Sequence, residues 1–379
     1  MEVKILSSFP GCPFNDTFES FFDTYKLGED VECYQLLFCP YGTGSSFKDL
    51  YEINFQSRIV ILNIMDLMID AHDNTAIDEL KKFCEDHPEQ QFIIFNFHLN
   101  LKKELSLSNL YTDTILTTNL TENLIPCEKK DISNQWLVLN ADTKVHKLMS
   151  VSYLLSKDYY ENGKITFSME IPTLVPYNKY KNITKIPDHL KEGFSRGYQK
   201  FKSRDFDLLK IRNFDSKNDR VAKNYNTNLL PVYENIGVEI INGTMFFEKT
   251  PVLSEKEVQS VFAKNFPIYI NAPGMAKEMK KLFDIDIFDD IVDHSYDDIE
   301  DHFERMAAAI DRNEELLNGS TNIKELWYDN QKRFDDNCEK INSLCFDKEK
   351  QRIFNHEKIK QSLMSFDISV SKKLSSLNK

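Results

Sequence analysis

The segment Leu253–Gly274, LSEKEVQSVFAKNFPIYINAPG, reads as three pieces in succession. Ser254 with Glu257 three places on is the capping-box pattern that opens a helix. Val258, Val261, Phe262 and Phe266 then share one face at helical spacing, and Pro267 predicts the end of that helix. PIYIN predicts a short central strand. Ala272-Pro273-Gly274 predicts a turn into a second helix with Met275, Met279, Leu282 and Phe283 on its apolar face. Glu255 and Lys256 therefore fall in the first turn of a helix, beside a sheet. First-turn N–H groups lack intrahelical partners, and the helix dipole favours an anion there. A lysine in that turn opposes the dipole unless an anion is bound. Two readings follow: a capped helix with two solvated charges, or a diphosphate site in which Lys256 meets the phosphates and Glu255 accepts from sugar hydroxyls.

Upstream, the same alternation repeats. VKILSSF (3–9), VECYQLLFC (31–39), RIVILNIM (58–65) and QFIIFNFHL (91–99) predict strands, with helices near 14–26, 45–52 and 74–86. Short apolar strands separated by helices imply a parallel sheet covered on both faces. A second set begins near Asp131: WLVLN (136–140) as a buried strand, 144–156 as a helix, KITFSM (164–169) and GVEIIN (237–242) as strands. Apolar residues from Ile323 to Cys345 recur at helical spacing and predict one long amphipathic helix over 321–345, then a shorter C-terminal helix. The domains expected are 1–130, 131–320 with a basic insert at 175–225, and 321–379 as helices packing back on the first domain.

Composition narrows the class. Hydrophobic residues make up 41% and charged residues 28%, as in soluble globular proteins. Eleven glycines leave little room for phosphate loops, and neither GxGxxG nor GxxxxGK[ST] occurs. No stretch reaches the roughly 20 apolar residues of a membrane helix. Seven dispersed cysteines with no CxxC pair indicate reduced thiols and a cytoplasmic location. The net charge of −13 argues against a wholly basic nucleic-acid binder. Residues 178–223 nevertheless hold thirteen Lys/Arg against six Asp/Glu, either a solvated helical insert or a local phosphate-binding surface. Lys200, Lys202, Arg204 and Arg212, with Tyr177, Tyr180, Phe194, Tyr198 and Phe201 among them, are the candidates for nucleic-acid contact.

From Leu253 to Ile310 the chain resembles the donor domain of a phage-encoded glycosyltransferase-like family related in pattern to the alpha-1,3-fucosyltransferases. The resemblance lies in Ser254-Glu255-Lys256 at a helix start, a Pro-containing strand, a Gly turn, FDIDIF (283–288) and DHSYD (293–297). A second block, 136–169, is similar to the family through Asn140, His146, Lys147, Leu154, Gly163 and Ser168. Lys147 stands where the family has arginine, which removes a bidentate phosphate grip. His294 replaces a usual glutamate, and one extra residue lies between Glu255 and Pro267. The resemblance implies an α/β, GT-B-like architecture: two Rossmann-like domains facing a cleft, with C-terminal helices. It implies a metal-independent glycosyltransferase whose donor is a nucleotide-diphosphate sugar, UDP- or GDP-linked, with no cofactor. Ser254, Glu255, Lys256, Asn140, His146 and Lys147 would hold that donor.

A glycosyl donor breaks at its diphosphate, so lysines and oriented donors would stabilise the leaving group, and a carboxylate or histidine would deprotonate the acceptor hydroxyl. Asp16, Asp66 and His98, at predicted strand ends or loops of the first domain, are the candidates. Each also fits a bland role, as a helix cap or a satisfied core histidine. Asp284-Ile-Asp286 matches a metal motif only superficially, and no zinc cluster is expected. The acceptor expected is 5-hydroxymethylcytosine in double-stranded phage DNA, within host cytoplasm. A polysaccharide or lipopolysaccharide acceptor, or a non-catalytic binding module on a degenerate fold, remain the alternatives.

Overall fold

Continuous apolar runs such as RIVIL and QFIIF make strands buried on both faces, and such runs position both sheets of this protein. The structure is a computed structural model. It describes residues 3–5, 14–25, 31–37, 47–65, 75–96, 98, 99, 101, 107–114, 124–140, 144–167, 186–203, 225–243, 246–345 and 348–366. The chain divides into two compact units, one drawn from Met1–Asn119, Phe247–Leu253 and Ser343–Lys379, the other from Leu120–Phe246 and Ser254–Asn342. Among the described residues no helix is long and apolar enough to cross a membrane.

The first unit carries a five-stranded parallel sheet in the order β1-β2-β3-β4-β5: Lys4–Ile5, Val31–Leu37, Ile59–Met65, Gln91–Asn96 and Leu110–Thr114. Strand β5, LYTDT, carries too few apolar residues to announce itself in the sequence. Helices α1 (Phe14–Tyr25), α2 (Phe47–Tyr51) and α3 (Thr75–Asp86) lie between the first four strands. Leu50 of α2 and Leu80 and Phe83 of α3 pack on Tyr34, Leu36, Leu62 and Ile94. Phe18, Phe21 and Phe22 of α1 pack on the opposite face, against Cys33, Ile61, Ile93 and Phe95. The steps β1→β2 and β2→β3 run the same way across the sheet but over opposite faces, so the two crossovers have opposite hands. One of them departs from the right-handed rule.

The second unit holds a four-stranded parallel sheet, order β7-β6-β8-β9: β6 Asn134–Val138, β7 Gly163–Ile165, β8 Ile236–Asn242 and β9 Phe266–Ile270. Helix α4 (Val145–Leu155) follows β6. Helix α5 (Asp188–Ser203) precedes β8, α6 (Glu255–Phe262) precedes β9, and α7 (Met275–Phe283) follows it. Beyond them come α8 (His302–Asp311), α9 (Ile323–Asp329) and α10 (Gln331–Cys345). PIYIN is thus an edge strand of this sheet rather than a central one. Helix α6 ends earlier than its proline suggests: Ala263 is the C-cap, Lys264 turns left-handed at φ 53°, and Phe266 opens β9 instead of closing the helix face. The helix expected over 321–345 is broken at Asn330 into α9 and α10.

Part of the basic segment is core rather than insert. Leu190, Phe194, Gly197 and Phe201 of α5 are buried. Gly197 lies so near α4 that a Cβ would stand 1.5 Å from the Ser152 carbonyl oxygen. Only a residue without a side chain lets those two backbones meet.

The chain then returns to the first unit as α11 (Lys348–Phe366). Ile359 and Leu363 complete the α1 face of the sheet. His356 meets the Phe21 ring edge-on at 5.2 Å, and Lys358 reaches Asp113 at 3.3 Å.

Candidate functional site

Strand order in the second sheet reverses between β6 and β8, because the chain goes from β6 outward to β7 and then back past β6 to β8 and β9. Such a reversal parts the following loops and leaves a crevice beyond the carboxyl ends of the two central strands. Asn140 ends the run of β6, Asn242 is the last residue of β8, and Asn271 follows β9. All three side chains are buried. The Asn242 amide Nδ2 donates to Asn140 Oδ1 at 3.0 Å, and the Asn140 N–H donates to Thr166 Oγ1 at 3.0 Å. Gly243 N–H donates to the Ile270 carbonyl at 2.9 Å. A Cβ on Gly243 would stand 2.2 Å from the Asn271 amide nitrogen, so this position admits no side chain without displacement.

Helix α4 starts shortly after the carboxyl end of β6. Its N-cap is Lys144, whose side chain makes no capping bond, and its first turn contains His146 and Lys147. Both of those side chains are buried. The His146 Nε2–H donates to the Gly243 carbonyl at 2.8 Å, and the ring stacks on Phe246 at 5.2 Å. Burial pushes the His146 imidazole well below its usual range, helped by the charges of Lys147, Lys144 and Lys256. The imidazole is therefore a neutral tether for the segment after β8, and three lysines surround it electrostatically. The resemblance implies that His146 approaches the phosphates. Its ring nitrogen Nε2 holds the Gly243 backbone.

The α6 end is arranged differently from the expectation of an anion cradle. Ser254 Oγ accepts from the Lys256 N–H at 3.4 Å, while Glu257 Oε2 accepts from both the Ser254 N–H at 2.9 Å and its hydroxyl at 2.6 Å. The capping box thus engages this helix end internally. Glu257 is fully buried, its carboxyl is pushed up by that burial, and its other oxygen accepts from Asn271 Nδ2 at 2.8 Å. Glu255 and Lys256 are half-buried.

The DHSYD motif finishes the edge of the sheet. His294 Nε2–H donates to the Pro267 carbonyl at 3.1 Å, and the Tyr269 N–H donates to Tyr296 Oη at 2.8 Å. Asp297 Oδ2 accepts from the Ala276 and Lys277 N–H groups at the start of α7, at 2.9 and 3.4 Å. An edge strand exposes a row of backbone groups, and this motif supplies their partners. Arg305, also buried, donates Nε–H to the Asn271 carbonyl at 2.9 Å and holds His302 Nδ1 at 2.7 Å. An arginine has no acceptor, so His302 Nδ1 is the accepting nitrogen. The carboxylates of Asp284 and Asp286 are engaged by Lys340 and Arg333.

Asn140, His146 and Lys147 thus gather at the switch point, and the charge of Lys256 acts there, while Ser254 is spent on the helix cap. The sequence does not single out Asn242, Asn271 and Arg305, and it offers Glu257 only as half of a capping box. A signal was present: WLVLN and PIYIN run apolar and stop on asparagine, and GVEIIN does the same apart from Glu239. Of the candidate bases, Asp66 lies outside the described residues. Asp16 sits in the first turn of α1 rather than in a loop. His98 is buried, with Nδ1 2.8 Å from Thr250 Oγ1 and its backbone N–H on Asn96 Oδ1 at 2.7 Å. Lys200 and Lys202 ride on α5, with Lys200 Nζ 4.2 Å from the Tyr160 ring centre and Lys202 Nζ 5.7 Å from that of Tyr198. Arg204, Arg212, Tyr177 and Tyr180 lie outside the described residues. No protein-family model matches this chain, and no curated protein sequence matches it significantly.

Proposed function

We propose that this protein is a GT-B glycosyltransferase that moves a sugar from a nucleotide-diphosphate sugar to a hydroxyl acceptor. The observation that carries the reading is the placement of Lys144 and Lys147 at the start of α4 at a doubly wound switch point, where the charge of Lys256 also acts on His146. A pyrophosphate placed there meets both the positive helix end and the lysine charges. As the glycosidic bond breaks, negative charge grows on the diphosphate, and these groups stabilise it. His146 positions the β8 end by its bond to Gly243 and stays neutral. For the acceptor, the Lys/Arg excess of residues 178–223, together with the family resemblance, favours 5-hydroxymethylcytosine in DNA over a glycan.

Thermal shift with nucleoside diphosphates and nucleotide-sugars tests the donor, since a ligand of the folded state raises its melting point. In Lys256→Ala the affinity for the best of these should fall roughly 10- to 100-fold, as for a lost charged hydrogen bond. Stability should move by no more than about 0.5 kcal/mol. No shift with any compound, or equal losses of affinity and stability, would remove the reading. Duplex DNA carrying the modified base should bind with a steep salt dependence; a flat salt response points to a glycan instead.

A further inference from the structure

We infer that Asn140 and Asn242 together form a recognition couple for a neutral hydroxyl or amide group of the ligand, beside the phosphate-binding start of α4. The inference rests on the donor reading above and adds what that reading leaves open, which is how the site tells a nucleotide or sugar from bare phosphate. The two amides share a single hydrogen bond, from Asn242 Nδ2 to Asn140 Oδ1. Among the described residues Asn140 Nδ2 and Asn242 Oδ1 have no partner, although both residues are 1% exposed. Exchanging the orientations of the two amides swaps which residue gives which atom and leaves the same surplus of one donor and one acceptor.

A buried polar group without a partner costs about 1–3 kcal/mol. The place of these two atoms matters as much as their number. Register pairs Val138 with Ile240, which brings Asn140 level with Asn242 across the two strands flanking the reversal. A phosphate oxygen only accepts, so it could meet the amide donor but would leave the carbonyl oxygen orphaned. A hydroxyl donates and accepts, and it satisfies both atoms at once. The crevice therefore combines a cationic part with a neutral donor–acceptor part, and a ligand that fills both carries phosphate and hydroxyl or amide groups close together.

Calorimetric titration of the full chain with pyrophosphate, UDP, GDP and UDP-glucose tests this, in the wild type, Asn242→Ala and Asn242→Asp. The aspartate fills the same space and turns the couple into two acceptors, so it serves if the alanine variant misfolds. The ratio of affinities, best nucleotide compound over pyrophosphate, should fall roughly 10- to 100-fold in either variant. An unchanged ratio means that a water or nothing fills the couple, and overturns the inference. So does a wild type that binds pyrophosphate as tightly as any nucleotide compound, in which case the phosphate reading survives alone. Failure of every compound, pyrophosphate included, removes the donor reading itself.

Discussion

Asp297 serves as a helix cap and sits almost wholly out of water, two conditions that pull its proton in opposite directions. The N–H groups of Ala276 and Lys277 favour the carboxylate, but burial wins and its pKa is pushed up to about 6 from an ordinary 3.8. A group that holds its proton more tightly folded than unfolded contributes stability that is full below the unfolded value, here pH 3.8. That contribution is lost as pH rises through about 6. A rise of that size is worth about 3 kcal/mol at most. Asp297→Asn keeps an oxygen for the same N–H groups and removes the titration. Urea melts at about pH 4 and about pH 7 should therefore differ less in the variant than in the wild type, by on the order of 2 kcal/mol. An identical pH dependence would show that Asp297 titrates normally. Glu257 is raised in the same direction by its own burial, so the second unit carries two buried carboxyls that anchor helix ends.

Strand β9 shows how an element can depend on a motif distant in sequence. Its outer backbone groups find partners in His294 and Tyr296 rather than in another strand. Tyr296→Phe keeps the ring in place and strips the acceptor from the Tyr269 N–H. The expected cost is about 1–3 kcal/mol, read by chemical denaturation, with amide exchange at Tyr269 accelerated most. A cost near zero would mean that water replaces the hydroxyl. The sequence showed a strand at 267–271, one residue on from the observed 266–270, and a helix opening at Ser254, because periodicity and the capping box are local signals. It did not show that β9 lies at the edge, since five apolar residues look alike in a centre and under a cover. Nor did local signals place the end of α6: Lys264 adopts a left-handed turn that glycine or asparagine would have advertised. The lysine cluster was partly legible through Lys147 and Lys256. Asn242 and Asn271 gain meaning only when strand order puts their ends together, and strand order is a tertiary fact.

For the molecule as a whole, the C-terminal helix is a piece of the first unit and not an appendage. Ile359 and Leu363 of α11 are fully buried against Phe21 and the sheet. Ending the chain after Cys345 uncovers that face, at roughly 1.5–3 kcal/mol for each lost aliphatic side chain. Hydrogen exchange should rise across β3 and β4 while β6 and β8 keep their protection; uniform loosening of both sheets would contradict the division into units. That division has a further consequence for anyone handling the gene. The polypeptide passes from one unit to the other four times, after Asn119, Phe246, Leu253 and Asn342. No single protease nick can part the halves, and no contiguous open reading frame encodes either one complete. Deletion series will find fragments rather than minimal domains, and excising either half intact requires splicing the coding segments back together.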